Sequence, residues 1–137
     1  MKKLFSTLLL ISTSVILLAQ ENIYSDSKLK VDFTIEELTD EVNDRFNTYY
    51  AFEITNTSQN TVSFIPIFTY KTETGALKSS SSRDENSIIQ LSPGEVINGD
   101  LTNNRSLTLF QQFLPGNSGK RAANSTYSLE SVNIQYQ

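Results

Sequence analysis

The chain has 137 residues with no Cys and no His, and its formal net charge is −4 at pH 7. The missing Cys excludes a disulfide framework, and the missing His excludes Ser-His-Asp triads, Cys-His pairs and imidazole metal sites. Because phosphate contacts need clustered Lys and Arg, the acidic balance also argues against nucleic acid and anionic membrane surfaces as partners.

The first 19 residues have the order of a secretory signal peptide. The cationic pair Lys2-Lys3 precedes an apolar run that ends at Ala19, the small residue after which such peptides are cut. A helix over residues 4–19 reaches about 24 Å, which is short of a hydrocarbon core of about 30 Å. We expect cleavage between Ala19 and Gln20 and no membrane attachment afterwards, with an uncleaved amino-terminal anchor as the alternative. Without Lys2 and Lys3 the net charge changes from −4 to −6.

After the expected cleavage point, residues 20–27 are predicted to be a flexible segment and residues 28–137 a single folded domain. The first strand is predicted within residues 28–38, where Val31, Phe33 and Ile35 alternate with polar residues. This period of two is typical of a half-buried strand.

A second strand is predicted in "TYYAFEIT", which also alternates. The residues expected to face inward are Tyr50, Phe52 and Ile54, and those expected to face outward are Tyr49, Ala51 and Glu53. The turn-forming residues 56–60 follow, and they predict a hairpin between this strand and the next.

The third run, "TVSFIPIFTYK", does not alternate simply, because residues 64–68 are all apolar. Pro66 cannot donate a ladder hydrogen bond, so we place it on an edge strand or at a bulge where the strand changes the face it buries. The alternative is an exposed apolar edge around Ile65 and Ile67 that receives another chain.

The next segment is polar and rich in turns. It predicts a turn near Gly75, a short strand at Ala76-Leu77 and a plain loop through the Ser-rich residues that follow. Ser92-Pro93-Gly94-Glu95 fits a type II turn between two short strands. Asn98-Gly99 is predicted to be a second tight turn or a bulge.

The last third of the chain predicts two more strands. Leu107 and Leu109 share one face of the first, and Phe110, Phe113 and Leu114 then break the period, which suggests a helical turn at its end. Residues 116–125 form a loop that contains the adjacent basic pair Lys120-Arg121, and "SVNIQY" alternates as a final strand.

These elements number about seven strands with no amphipathic helix among them. Turn signals recur at short intervals, and parallel strands would need helical crossovers. The sequence therefore predicts an all-β fold, an antiparallel two-sheet sandwich that is immunoglobulin-like in the broad sense.

Three stretches resemble small secreted β-sandwich proteins of the Bacteroidetes: "YYAFEITNTSQNTVSFIPIFTYKTETGAL", "LSPGEVINGD" and "LESVNIQYQ". The resemblance covers most of residues 20–137, rests on motifs that shape turns and core, and implies the fold and export but no activity. Some such proteins carry Cys where residues 76–82 and Leu101 stand here, so any role of those thiols is lost. The "LLAQ" boundary fits the signal peptides of that phylum, and we expect a periplasmic or secreted location in a Gram-negative bacterium, with Gln20 cyclised to pyroglutamate.

Two kinds of acidic site deserve testing against the structure. Residues 36–44 carry many oxygen ligands that could suit Ca²⁺, but they lack the order of a helix-loop-helix calcium loop, and a solvated acidic loop is the favoured interpretation. Glu36 and Glu53 could lie on neighbouring strands, as a glycosidase would need, although nothing distinguishes them from surface charges.

We therefore expect an exported, non-catalytic β-sandwich module that binds a protein, a surface polymer or a glycan. The surface candidates for binding are Tyr49, Ile65 and Ile67, and no catalytic residue, metal ligand or cofactor is predicted. The alternative is a carboxylate-dependent hydrolase acting on a polysaccharide or peptide.

Overall fold

A computed structural model of the protein describes residues 19–82 and 87–137. The predicted signal residues 1–18 and residues 83–86 of the Ser-rich loop lie outside the described residues. The described chain is all-β, with two antiparallel sheets that form a sandwich, and it has nine strands instead of about seven. The strands are β1 (Glu21–Ser25), β2 (Leu29–Asp40), β3 (Arg45–Asn56), β4 (Val62–Thr72), β5 (Leu77–Ser79), β6 (Ile89–Leu91), β7 (Val96–Asn98), β8 (Thr108–Phe113) and β9 (Tyr127–Tyr136).

The first sheet is built around the long hairpin of β2 and β3. Their pairing is continuous from Leu29 opposite Asn56 to Asp40 opposite Arg45. Strand β1 pairs with the far side of β2, and β7 and β8 pair with successive parts of β3. The predicted strand 28–38 is thus confirmed and extends to Asp40.

Strand β1 corrects the expectation that residues 20–27 form a flexible segment outside the domain. Residues 21–25 pair with β2, and Asp26 then fixes the turn between the two strands. The Asp26 carboxylate accepts hydrogen bonds from the backbone N–H of Lys28 and Leu29 and from the hydroxyls of Tyr24 and Tyr136. The Tyr136 bond ties this turn to the last strand.

The second sheet is centred on β4, which pairs with β9 along residues 64–72. On its other edge β4 pairs with β6 at residues 62–64 and with β5 at residues 69–71. Between them the Phe68 N–H donates to the Ser80 hydroxyl at 2.8 Å. Pro66 lies two residues before Phe68, so its nitrogen points to the same edge of β4. No described strand pairs with that edge at Pro66, and the missing N–H of Pro therefore breaks no strand pairing.

The predicted change of face at Pro66 is wrong. Strand β4 alternates throughout, and its register shifts at Thr69 and Tyr70 instead. The inward residues are Val62, Phe64, Pro66, Phe68 and Tyr70. Ile65 and Ile67 lie on the outer face and are half-buried, which is why the sequence shows an unbroken apolar run.

The predicted hairpin between β3 and β4 is also wrong, because these strands belong to opposite sheets. The cause is the fully buried side chain of Asn56. Its amide donates to the carbonyls of Asn60 (2.7 Å) and Leu91 (3.0 Å), and its oxygen accepts from the N–H and hydroxyl of Ser58. The turn is therefore bonded to itself and to β6, and it carries the chain across the sandwich.

The core lies between the inner faces of the two sheets. Phe52 of β3 stacks on Phe68 of β4 with ring centroids 3.9 Å apart and planes within 10°. The inward positions predicted for Tyr50, Phe52 and Ile54 are confirmed, since all three belong to the core cluster between the sheets, whereas the equally buried Tyr49 and Ala51 do not. Each buried aromatic or aliphatic side chain of this kind stabilises the fold by about 1.5–3 kcal/mol.

The turn predicted at Ser92–Glu95 is confirmed. The Glu95 N–H donates to the Ser92 carbonyl at 3.0 Å, and Gly94 has the positive φ of 76° that this position of a type II turn requires. The strands it joins, β6 and β7, lie in different sheets. Gly99 forms no tight turn: it lies so close to Leu107 that a Cβ would be 2.0 Å from the Leu107 carbonyl oxygen.

Strand β8 contains a bulge where the sequence suggested a helical turn. Tyr49 is opposite Phe110 and Thr48 is opposite Gln112, so Gln111 is the extra residue. The Thr48 hydroxyl donates to the Gln111 side-chain oxygen at 2.6 Å. The bulge moves Phe113 onto the same face as Phe110, which explains the broken period.

We predict that Asn56→Ala lowers the free energy of unfolding by about 2–3 kcal/mol, because it leaves buried carbonyl and N–H groups without partners. Urea denaturation followed by circular dichroism measures this change. Asn133→Ala, at an exposed position of β9, serves as the control and should change stability by less than about 0.5 kcal/mol. Equal effects of the two substitutions would contradict the role assigned to Asn56.

We also predict that the Asp26 carboxylate makes stability depend on pH. Burial raises the pKa of Asp26, but the hydrogen bonds from Tyr136, Tyr24, Leu29 and Lys28 lower it more, to about 2. Because its folded-state pKa is depressed, its contribution is complete above about pH 4 and is lost as the pH falls towards 2. Asp26→Asn should cost about 1 kcal/mol at pH 7, since the carboxylate is mostly solvent-exposed, and almost nothing at pH 2. Urea titrations at both pH values test this, and a pH-independent difference would refute it.

Candidate functional site

A pocket of 790 Å³ lies on the outer face of the first sheet, at the end where β2 turns into β3. Strands β2, β3 and β8 supply its floor, and the loops 100–105 and 114–122 supply its walls. The residues that line it are Leu38, Asp44, Arg45, Phe46, Asn47, Tyr49, Leu101, Arg105, Thr108, Phe110, Phe113, Leu114, Gly116, Ser118, Lys120, Arg121 and Ala122. We call it the cationic pocket, for the reason given below.

The floor of the cationic pocket is aromatic. Tyr49 lies opposite Phe110 on the neighbouring strand, and Phe113 lies opposite Asn47. The rings of Phe110 and Phe113 are 4.8 Å apart between centroids. Without the bulge at Gln111, Phe113 would fall on the inner face, so the bulge assembles this floor.

Four cationic side chains surround this floor: Arg45, Arg105, Lys120 and Arg121. All four are exposed, and none forms an ion pair with another described residue, whereas Lys30 and Lys71 do. The described residues include eight Lys and Arg in total, so half of them line one pocket of an acidic chain. Only one of the lining residues is acidic, Asp44.

Asp44 holds the wall of the pocket. Its carboxylate accepts the N–H of Asn117 at 2.9 Å, and a Cβ on Gly116 would lie 2.6 Å from the same oxygen, so this close approach requires Gly. The Leu114 N–H donates to the Phe46 carbonyl, and Pro115 bridges to Arg121. These contacts fix the loop that carries Lys120 and Arg121 beside the floor.

Tyr49 lines the end of the cationic pocket that is farther from the turn between β2 and β3. Its hydroxyl donates to the Glu36 carboxylate at 2.7 Å. Burial raises the pKa of Tyr49 to about 12, with further contributions from the hydrogen bond to Glu36 and the negative charges of Glu36 and Asp100. Tyr49 is therefore a neutral hydrogen-bond donor at physiological pH.

A smaller depression of 320 Å³ adjoins this end of the pocket on the same face. Glu36 and Glu53 line it, together with Thr34 and Ala51. Glu53 accepts a hydrogen bond from the side-chain amide of the uncyclised Gln20 at 2.9 Å, a donor that the expected pyroglutamate would lack. We call it the acidic depression.

Glu36 and Glu53, the two carboxylates considered for a glycosidase, line the same depression but are offset along their strands. Glu36 is opposite Tyr49, which is four residues from Glu53, so the two backbones are about 13 Å apart along the strands. Catalytic pairs have carboxyl groups about 5–10 Å apart across a cleft. Elsewhere, hydrogen bonds lower the pKa of the Asp40 and Asp100 carboxyls, the opposite direction to that of a general acid.

The acidic stretch 36–44 is the end of the β2–β3 hairpin. Asp40 caps its turn, accepting the N–H and side-chain amide of Asn43, and Asp44 faces the pocket loop. In the ranges 19–82 and 87–137, no group of three or more acidic side chains is placed to hold a metal ion.

The three predicted surface residues do not form one site. Tyr49 is on the outer face of the first sheet, as predicted, but neighbouring side chains leave it only 8% exposed. Ile65 and Ile67 lie on the outer face of the second sheet, half-buried opposite Gln135 and Asn133 of β9. Ala19 and Gln20 of the predicted cleavage site are exposed, immediately before β1.

Comparison of the chain with protein-family models, curated proteins and solved structures found no match. The site must therefore be interpreted from its own geometry.

Within the described part of the chain, none of the helical segments has the length and apolar character needed to span a membrane.

Sequence reasoning did not identify the cationic residues of the pocket. Arg45, Arg105 and Arg121 come from three separate segments, and each is unremarkable in its own surroundings. Two signals were present: the basic pair Lys120-Arg121 directly after Gly119, and the broken alternation after Phe110 that marks the bulge. Neither shows which face the residues share.

We predict that Tyr49→Phe removes one tyrosinate transition with a midpoint near pH 12 from the absorbance titration at alkaline pH. Because the folded-state pKa is raised above its ordinary value of 10, the stabilising contribution of Tyr49 is complete below pH 10 and is lost between about pH 10 and 12. Urea denaturation across this range should show a shallower loss of stability in the variant. If the missing transition is centred at pH 10, the partly buried hydrogen bond to Glu36 is absent in solution.

Proposed function

We propose that the protein is an exported, non-catalytic β-sandwich module that binds an anionic partner through the cationic pocket. The proposed location is the periplasm or the cell exterior, in agreement with the order of residues 1–19. The partner is a glycan, a surface polymer or a protein that presents negative charge together with an apolar or ring-shaped surface.

One observation carries this proposal: four cations, none of which forms an ion pair with a described residue, surround an aromatic floor on an otherwise acidic chain. Unpaired like charges near one another repel, and a protein with fifteen acidic residues has many ways to neutralise them. Because the four cationic side chains lie around one pocket without a carboxylate partner among the described residues, their positive charge is available to a ligand. Arg guanidinium groups form paired hydrogen bonds with carboxylates and related anions, which adds geometric selection to the charge.

The shape of the pocket supports the same function. Its volume lies within the range of about 300–1,000 Å³ that is usual for ligand sites. The buried or half-buried rings of Tyr49, Phe110 and Phe113 offer apolar contact, while the exposed Arg and Lys side chains form the rim. Because the rim is exposed, binding should weaken with salt, as for any charge pair in contact with solvent.

We predict that the double variant Arg105→Ala/Arg121→Ala binds glucuronate at least about tenfold more weakly than the unaltered protein, because it loses two charge-assisted contacts. Isothermal calorimetry at low salt measures the affinity, with galactose as the neutral reference. Lys71→Ala/Lys78→Ala is the matched control: it removes the same charge from exposed positions in β4 and β5, and its affinity should be unchanged. Equal loss in both variants, or no binding of glucuronate by the unaltered protein, would reject the proposed function.

A further inference from the structure

The cationic pocket and the acidic depression form one continuous surface. Alternate residues of β3 supply the floor of both: Asn47 and Tyr49 line the pocket, and Ala51 and Glu53 line the depression. The two cavities meet at the hydrogen bond between Tyr49 and Glu36. From Asn47 to Glu53 the surface extends about 20 Å along the strand.

The charge reverses along this surface. The pocket end has four cations and one carboxylate, whereas the described lining of the depression has Glu36 and Glu53 and no Lys or Arg. The Glu36 carboxylate accepts a hydrogen bond from Tyr49, and both carboxylates retain lone pairs for further donors. Such oxygens accept hydrogen bonds from hydroxyl groups but repel other anions.

The backbone on this face favours a glycan over a peptide. A peptide that binds by adding a strand needs an open sheet edge, and here β3 is paired on one side with β2 and on the other with β7 and β8. Recognition therefore depends on side chains: carboxylates, the Asn47 amide, the Thr34 hydroxyl and aromatic rings. Hydroxyl groups and the apolar faces of sugar rings suit this set.

We propose that the surface binds a glycan in which a single acidic sugar lies in the cationic pocket and the neutral units that follow it lie over Glu36 and Glu53. This inference rests on the proposed function and adds the class of ligand and its direction along β3. A uniformly acidic chain is disfavoured, because its next carboxylates would lie against those of Glu36 and Glu53.

The test compares three tetrasaccharides by isothermal calorimetry: xylotetraose, its derivative in which glucuronic acid replaces one terminal xylose, and tetragalacturonate. The singly acidic probe should bind the unaltered protein at least about tenfold more tightly than either of the others. Tetragalacturonate should gain affinity in the variant Glu36→Gln/Glu53→Gln, which keeps one acceptor oxygen at each position and removes the charge, so that the preference falls below about threefold.

Glu73→Gln/Glu95→Gln is the control, because it removes the same charge from exposed positions away from this face. It should leave the tenfold preference intact, which separates a local effect of Glu36 and Glu53 from a change in net charge. Circular dichroism confirms that each variant is folded before its affinity is measured.

The outcomes separate this inference from the function on which it rests. If tetragalacturonate binds as tightly as the singly acidic probe, or if Glu36→Gln/Glu53→Gln leaves the preference unchanged, the inference is wrong and the anion-binding function stands. If neither acidic probe nor glucuronate binds, both fail. If xylotetraose binds as tightly as its acidic derivative while glucuronate still binds, the direction assigned to the ligand is wrong.

Discussion

The alternation of side chains along β3 is the constraint on which both the core and the site depend. Because β3 is paired along its whole length with β2, its side chains are held strictly to two faces. Tyr50, Phe52 and Ile54 enter the core, where Phe52 stacks on Phe68 of the opposite sheet. Asn47, Tyr49 and Glu53 are presented on the other face. A shift of one residue in this register would exchange the core for the binding surface.

The electrostatic pattern follows from how loops are tied to that hairpin. Asp44 and Phe46 fix the loop that carries Lys120 and Arg121, and the bulge at Gln111 turns Phe113 towards them. Asp44, the one acidic residue among the described lining of the pocket, is thus occupied in holding its wall, and the cations form no ion pair with a described residue. The same sheet face ends in Glu36 and Glu53, so the surface has a direction, with a positive end and a negative end.

Local sequence patterns predicted much of the fold. Period-two alternation identified β2, β3 and β9, and the Pro-Gly pair at Ser92–Glu95 specified a type II turn, because these features depend only on adjacent residues. The crossing from β3 to β4 was not predictable in this way, since it depends on hydrogen bonds from Asn56 to Leu91, far along the chain. Strand β1 was missed for the same reason: its short polar sequence becomes a strand only by pairing with β2.

The site was less predictable than the fold. Tyr49 was placed on the correct face, but a sequence cannot show that Arg45, Arg105 and Arg121 converge around it, because their proximity depends on the tertiary structure. The most direct test of this account is a map of amide chemical-shift changes by NMR as glucuronate is added. The account predicts changes confined to the outer face of β3 and β8 and the loops 100–105 and 114–122, around Tyr49, Arg105 and Arg121. Changes centred on β4 and β9, near Ile65 and Ile67, would contradict it.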